Sequence, residues 1–161
     1  MNFTTLADVL EAFAQTAEAA LPGDGKSHVG DVSTRDVDRG FRLAVFPKRD
    51  SGVDHEGYSR RTASVVVKLI AVDDPSDASA GATQLIRLVR LFEPAYYAIF
   101  HHAKANTQGF DGMEVWVQDD AATPGISADG YDDNPSDRRA RIGATFTAVY
   151  NRQLPTPNPT P

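Results

Sequence analysis

Four histidines, 22 carboxylates and no cysteine define the chemistry open to this 161-residue chain. Without cysteine there is no disulfide framework and no thiolate metal site, which fits folding in a reducing cytoplasm. His101 and His102 are neighbours in a helical stretch, so they point about 100° apart and cannot share a metal. His28 and His55 read as loop residues with no partner at ligand spacing. Asp54-His55-Glu56 reads as a charged turn rather than an acid–base pair. Asp129, Asp132 and Asp133 suggest calcium, but Tyr131 breaks the alternating ligand spacing of an EF-hand. No G-x-S-x-G, H-E-x-x-H or Gly-rich phosphate loop occurs. The residues therefore assign no catalytic group, no metal and no cofactor.

The charge distribution says more. The net charge is −6, and the stretch from Asp119 to Asp137 holds Asp119, Asp120, Asp129, Asp132, Asp133 and Asp137 with no Lys or Arg. The remainder is neutral, with 16 basic and 22 − 6 = 16 acidic residues. An acidic loop on a neutral body argues against tight non-specific binding to DNA phosphates. The basic clusters are Arg60-Arg61 and Arg138-Arg139-Arg141, each at the start of a strand-like segment. They read either as solvated surface charges or as partners for acidic residues of the same chain or a neighbour.

These charges need elements to hold them. Residues 82–104 place Leu85, Leu88, Val89, Phe92, Tyr96, Ile99 and Phe100 on one helix face, with Gln84, Arg87, Arg90, Tyr97, His101 and Lys104 opposite. Burying that stripe is worth roughly 10–20 kcal/mol before chain entropy is charged against it. Pro94 falls on the polar side, so the helix is expected to kink there or to divide into two abutting helices. Thr4-Thr5 and Asp8 cap an N-terminal helix whose apolar face is Leu6, Val9, Leu10, Phe13, Ala17 and Leu21. Pro22-Gly23 ends it, and residues 23–40 read as mostly loop, with Val29, Val32 and Val37 available for a short strand.

Residues 41–46 and 58–72 form strand candidates. The second is apolar on both faces (Val65, Val66, Val67, Leu69, Ile70), as in a central strand or one covered by another subunit. Asp50-Ser51-Gly52 is expected to turn the chain between them and to set Lys48 near Asp54. Two alternating segments follow. In the first, Met113, Val115 and Val117 oppose Glu114, Trp116 and Gln118. In the second, Ile142, Ala144, Phe146, Ala148 and Tyr150 oppose Arg141, Gly143, Thr145 and Thr147. The expected fold is α+β. An antiparallel or mixed sheet of about four or five strands packs on a long kinked helix and an N-terminal helix. Residues 1–151 make one domain, and 152–161 a proline-rich extended or disordered tail. No stretch reaches the roughly 18 apolar residues of a membrane span, and the N-terminus lacks a signal-peptide pattern, so no membrane partner is expected.

The order of these elements, with FRLAVFPKRD and RRTASVVVKLIAV as a hairpin and RIGATFTAVYN as a closing strand, resembles the tail terminator proteins of long-tailed bacteriophages and related gene-transfer particles. The likeness extends over about residues 3–151 and rests on element order, size and texture. The proline-rich tail and the 19-residue acidic loop lie outside it. The resemblance implies a non-enzymatic virion protein, located in the tail or neck and in the host cytoplasm during assembly. Its subunits would close into a six-membered ring on the head-proximal end of the tail tube. Its partners would be its own copies, the major tail tube protein and a head-completion or stopper protein, with DNA passing transiently. The hairpin residues Lys48, Arg49, Asp54 and Glu56 become candidates for contact with a neighbour or the tube. Arg60, Arg61, Arg138 and Arg139 become candidates for pairing with the next subunit's aspartates. The acidic loop would line either that interface or the lumen. Two rivals stand beside this reading: another head–tail connector, and a small α+β enzyme or ligand-binding domain with a pocket lined by Tyr96, Tyr97, His101 and Trp116.

Overall fold

The computed structural model describes residues 3–21, 26–29, 41–72, 80–105, 115–121, 124–127 and 139–155. Two helices and six strands occur among them: α1 (Leu6–Ala19), β1 (Lys26–Val29), β2 (Phe41–His55), β3 (Tyr58–Val72), α2 (Ala80–Ala105), β4 (Val115–Asp119), β5 (Ile126–Ser127) and β6 (Arg139–Gln153). The strands form one mixed sheet in the order β1-β2-β3-β6-β4, with β5 paired to the same edge of β6. Only the β1–β2 pair is parallel. The fold is the expected α+β arrangement, and β3 is indeed central. The short strand open to Val29 is β1.

Strand alternation gives the sheet two faces. Val65, Val67 and Leu69 of β3 lie beside Phe146, Ala144 and Ile142 of β6, and beside Pro47, Val45 and Leu43 of β2. Apart from Pro47, these residues are buried and share one core with both helices. α1 lies over β1 and β2, α2 over β6, β4 and β3, and the helices touch each other. Thr5 caps α1: its hydroxyl accepts from the Asp8 N–H (3.2 Å), while the Thr5 N–H donates to the Asp8 carboxylate (2.9 Å). The Thr4 N–H donates to the Asn151 carbonyl at 2.9 Å, fixing the start of α1 against the end of β6.

Four of the seven residues of the α2 stripe, Leu88, Phe92, Tyr96 and Ile99, are buried at the core with Ala95 beside them, while Leu85, Val89 and Phe100 are partly buried. α2 passes Pro94 as one helix, not two abutting ones. Pro94 is exposed, so water can reach the carbonyl it leaves without a donor.

The hairpin turn differs from expectation. β2 continues through Asp50, Ser51 and Gly52 to His55, and the chain reverses at Glu56-Gly57, where His55 pairs with Tyr58. Gly57 takes φ 81°, a left-handed value that glycine adopts without steric cost. Lys48 therefore does not face Asp54 across a hairpin; both lie on β2, with Lys48 at an irregularity between Pro47 and Arg49. Pairing along the whole of β3 decides the register, and one favourable local turn sequence cannot outweigh it.

Candidate assembly surfaces

The hairpin end carries most of the residues singled out from sequence. Residues 51–57 are exposed, so the helices leave this end of β2 uncovered. Arg60 and Arg61, adjacent in sequence, point to opposite faces of β3. Arg61 lies on the helix-covered side. Its Nη2 donates to Asp50 Oδ2 at 2.9 Å and its Nε to Oδ1 at 3.3 Å, a two-pronged ion pair that is mostly shielded from solvent. Gly52, opposite Arg61, makes room for this: a Cβ there would come within 2.7 Å of the Arg61 Cδ. Arg61 is thus already engaged within its own subunit, and Arg60 remains exposed on the other face. Asp54 pairs with Ser59 and is exposed, as is Glu56 in the turn. His55 stacks on Tyr58 with ring centroids 4.8 Å apart.

The acidic stretch begins with two residues of opposite commitment. Asp119, the last residue of β4, faces α2 and accepts the Tyr96 hydroxyl proton at 2.9 and 3.0 Å. Burial, and then Asp119 itself, push the Tyr96 phenol up to about 12. Asp120 turns to the other face, where the Thr147 hydroxyl donates to it at 3.3 Å and its own N–H donates to the Thr145 carbonyl at 3.1 Å. Asp129, Asp132, Asp133, Asp137 and Arg138 lie outside the described residues. Arg139 opens β6 and pairs with Val72, but its side chain is also outside them.

Of the four proposed pocket residues, Tyr96, Tyr97 and His101 meet along α2, with ring centroids 5.3 and 6.5 Å apart in turn, but Trp116 does not join them. Tyr96 is buried under α2, with its ring at 5.6 Å from Phe146 and 5.0 Å from Phe100. Tyr97 and His101 are exposed on the outer side of the helix. Trp116 sits on the opposite face of the sheet and is 54% exposed. Val115 and Val117 face the core, so the alternation of β4 turns Trp116 away from it.

Sequence reasoning missed the helix-free face as a unit. Strand register places Arg42 and Arg49 of β2, Arg60 and Lys68 of β3 and Arg141 of β6 on that side. Lys48 joins them, lining with Lys68, Phe46, Val66 and Thr145 an open groove of about 360 Å³. The parity of these positions along each strand carried the signal, once the strands were aligned. Among the described residues there is no group of three or more side chains able to hold a metal ion, and no helix is long and apolar enough to cross a membrane.

No protein-family model matches the chain, and no curated protein matches it in sequence. The fold does have solved counterparts. One is the sheath/tube terminator of an extracellular contractile injection system, PVC, determined by cryo-EM in its extended state. The two chains superpose with a TM-score of 0.60 at 12% sequence identity. The match covers 99% of this chain but 60% of that one, so this chain spans rather more than half the length of its counterpart. The fold read from the sequence as terminator-like is the fold of a solved tube terminator.

Proposed function

We propose that the protein is a structural terminator of a tail tube in a phage-like particle. It would close as a six-membered ring on the head-proximal end of the tube, stop tube growth and offer head-completion proteins a surface to join. The observation that carries this reading is the fold match to a tube terminator over nearly the whole chain. The uncovered end of the β2–β3 hairpin, exposed from Ser51 to Gly57, supports it as a tube or neighbour contact. In this role the protein performs no chemistry, resides in the particle's tail or neck, and is assembled in the host cytoplasm. DNA would pass through the ring without being held.

The test adds purified protein to the cognate tube protein during polymerisation and images the tubes by electron microscopy. A ring at one end of each tube, with tube length set by the amount added, is the expected result. Tubes of unchanged length with bare ends would overturn the reading.

A further inference from the structure

The charges of the sheet are sorted by face. All three carboxylates on the described strands, Asp50, Asp54 and Asp119, occupy the helix-covered side. The helix-free side receives Arg42, Lys48, Arg49, Arg60, Lys68 and Arg141, and none of its strand positions is acidic. Asp120, just past β4, is the described carboxylate that reaches this face. Arg42, Lys48, Arg49, Arg60 and Lys68 make no ion pair among the described residues. Three of them face small or neutral residues on the next strand: Lys68 lies between Ala44 and Gly143, Arg49 opposite Ser64, Arg60 between Val53 and Asn151; Arg42 lies between Ile70 of β3 and Lys26 of β1. Lys68, Arg49 and Arg60 are therefore set apart by neutral neighbours, which limits their mutual repulsion. Such a surface on a chain of net charge −6 calls for an anionic partner.

The chain contains a fitting one. Residues 129–137, Asp-Gly-Tyr-Asp-Asp-Asn-Pro-Ser-Asp, carry four carboxylates, no cation and one aromatic ring, Tyr131, flanked by acids. The groove on the cationic face matches that chemistry, with Phe46 and Val66 as apolar surface and Lys48 and Lys68 as counter-charges. We infer that the helix-free face of the sheet is the surface on which a second copy of this chain docks, through that copy's segment 129–137. Donor segment and receiving face are different patches, so the contact is head-to-tail and propagates to a closed ring if its rotation closes. This rests on the terminator reading and specifies its subunit contact. It also replaces Arg61, held by Asp50, with the cations of the opposite face.

The test is a complementary charge exchange on the full chain. One variant carries Lys48→Glu and Lys68→Glu; the other carries Asp132→Lys and Asp133→Lys. Light scattering and sedimentation follow self-association across NaCl concentration, and thermal melts establish that both variants fold. The wild type is expected to assemble at low salt and to weaken as salt rises. Each variant alone should lose about tenfold or more in apparent affinity. An equimolar mixture of the two should regain assembly, because each reversed patch then meets a reversed partner.

A wild type that stays monomeric at low salt overturns the inference, as does either variant assembling like wild type. Loss in both variants without rescue on mixing also overturns it, because a contact within one chain cannot be restored by a second chain. If Lys48→Glu/Lys68→Glu abolishes binding to a short DNA duplex but leaves self-association intact, the face serves nucleic acid and the inference fails. Tube capping by the wild type is scored separately. Capping that survives in the charge variants leaves the terminator reading standing and removes only this contact.

Discussion

The two faces of one sheet use the same three long strands for opposite purposes. Toward the helices, β6 presents Ile142, Ala144, Phe146, Ala148 and Tyr150, all buried. Away from them it presents Arg141, Gly143, Thr145, Thr147 and Val149, all partly exposed. β3 repeats the pattern, with Val65, Val67 and Leu69 against the core and Ser64, Val66 and Lys68 on the other side. Apolar content alone does not separate the faces, since Val66 and Phe46 stand among the cations and Ala44 and Ile70 form a small buried cluster there. Stability resides on the helix-covered face, while the helix-free face carries the charge and exposed aromatic surface of a contact region. Substitutions one residue apart along a strand should therefore have unlike consequences.

The largest expected contrast is at positions 145 and 146. The Phe146 ring is fully buried and lies 5.6 Å from Phe13, 5.6 Å from Tyr96 and 5.4 Å from Phe100. Phe146→Ala should cost about 3–5 kcal/mol, from lost transfer energy and the cavity left behind. Thr145→Ala, on the helix-free face, should stay within about 0.5 kcal/mol. Denaturant unfolding of the two variants against wild type measures both. Equal losses would mean that the second face is as much a part of the folding core as the first.

Most of the helix-covered face was legible in the sequence, because spacing alone specifies it. Leu88, Phe92, Tyr96 and Ile99 recur with the helical period, and Ile142 to Tyr150 alternate with the period of a strand. What escaped was long-range. Asp50-Ser51-Gly52 has the composition of a turn, and only its pairing with Thr62, Ala63 and Arg61 shows it to be strand. Arg60-Arg61 reads as one basic cluster until strand parity divides it between two faces. The Tyr96–Asp119 bond joins residues 23 positions apart, which no local pattern reports. The cationic face needs three strands aligned at once, so the sequence showed its members without showing that they share a surface.

That same Tyr96–Asp119 bond provides the second contrast, in pH. Tyr96 and Tyr150, both on the helix-covered side, have their phenols pushed from the usual 10.0 up to about 12, chiefly by burial. The folded state holds these protons where the unfolded chain releases them. Their stabilising contribution is therefore complete below pH 10 and is lost as pH rises toward about 12. Unfolding free energy followed across that range should fall, and Tyr96→Phe should flatten the fall. At neutral pH the same substitution should cost about 1–3 kcal/mol, since it removes a hydrogen bond to a carboxylate in a partly buried site. An unchanged alkaline slope in Tyr96→Phe would show that its phenol is not held protonated by the fold.

The smallest effect tests whether the helix-covered face is optimised in every atom. Tyr150 is fully buried, and its hydroxyl finds no partner at full hydrogen-bond geometry among the described residues, although the Asp50 carboxylate is near enough for a weak hydrogen bond that helps to raise its phenol. A buried hydroxyl so weakly partnered loses its hydration and receives little in return. Tyr150→Phe keeps the ring and removes only that oxygen. It should leave stability unchanged or raise it by up to about 1 kcal/mol, read as a higher denaturant midpoint at constant m-value. It should also take away this residue's share of the alkaline fall. A loss greater than about 1 kcal/mol would instead show the hydroxyl bonded to Asp50 in solution. The Arg61–Asp50 pair would then be part of a three-membered polar network tying the hairpin to the core. The division between a stability face and a contact face would then run through the hairpin, not along the plane of the sheet.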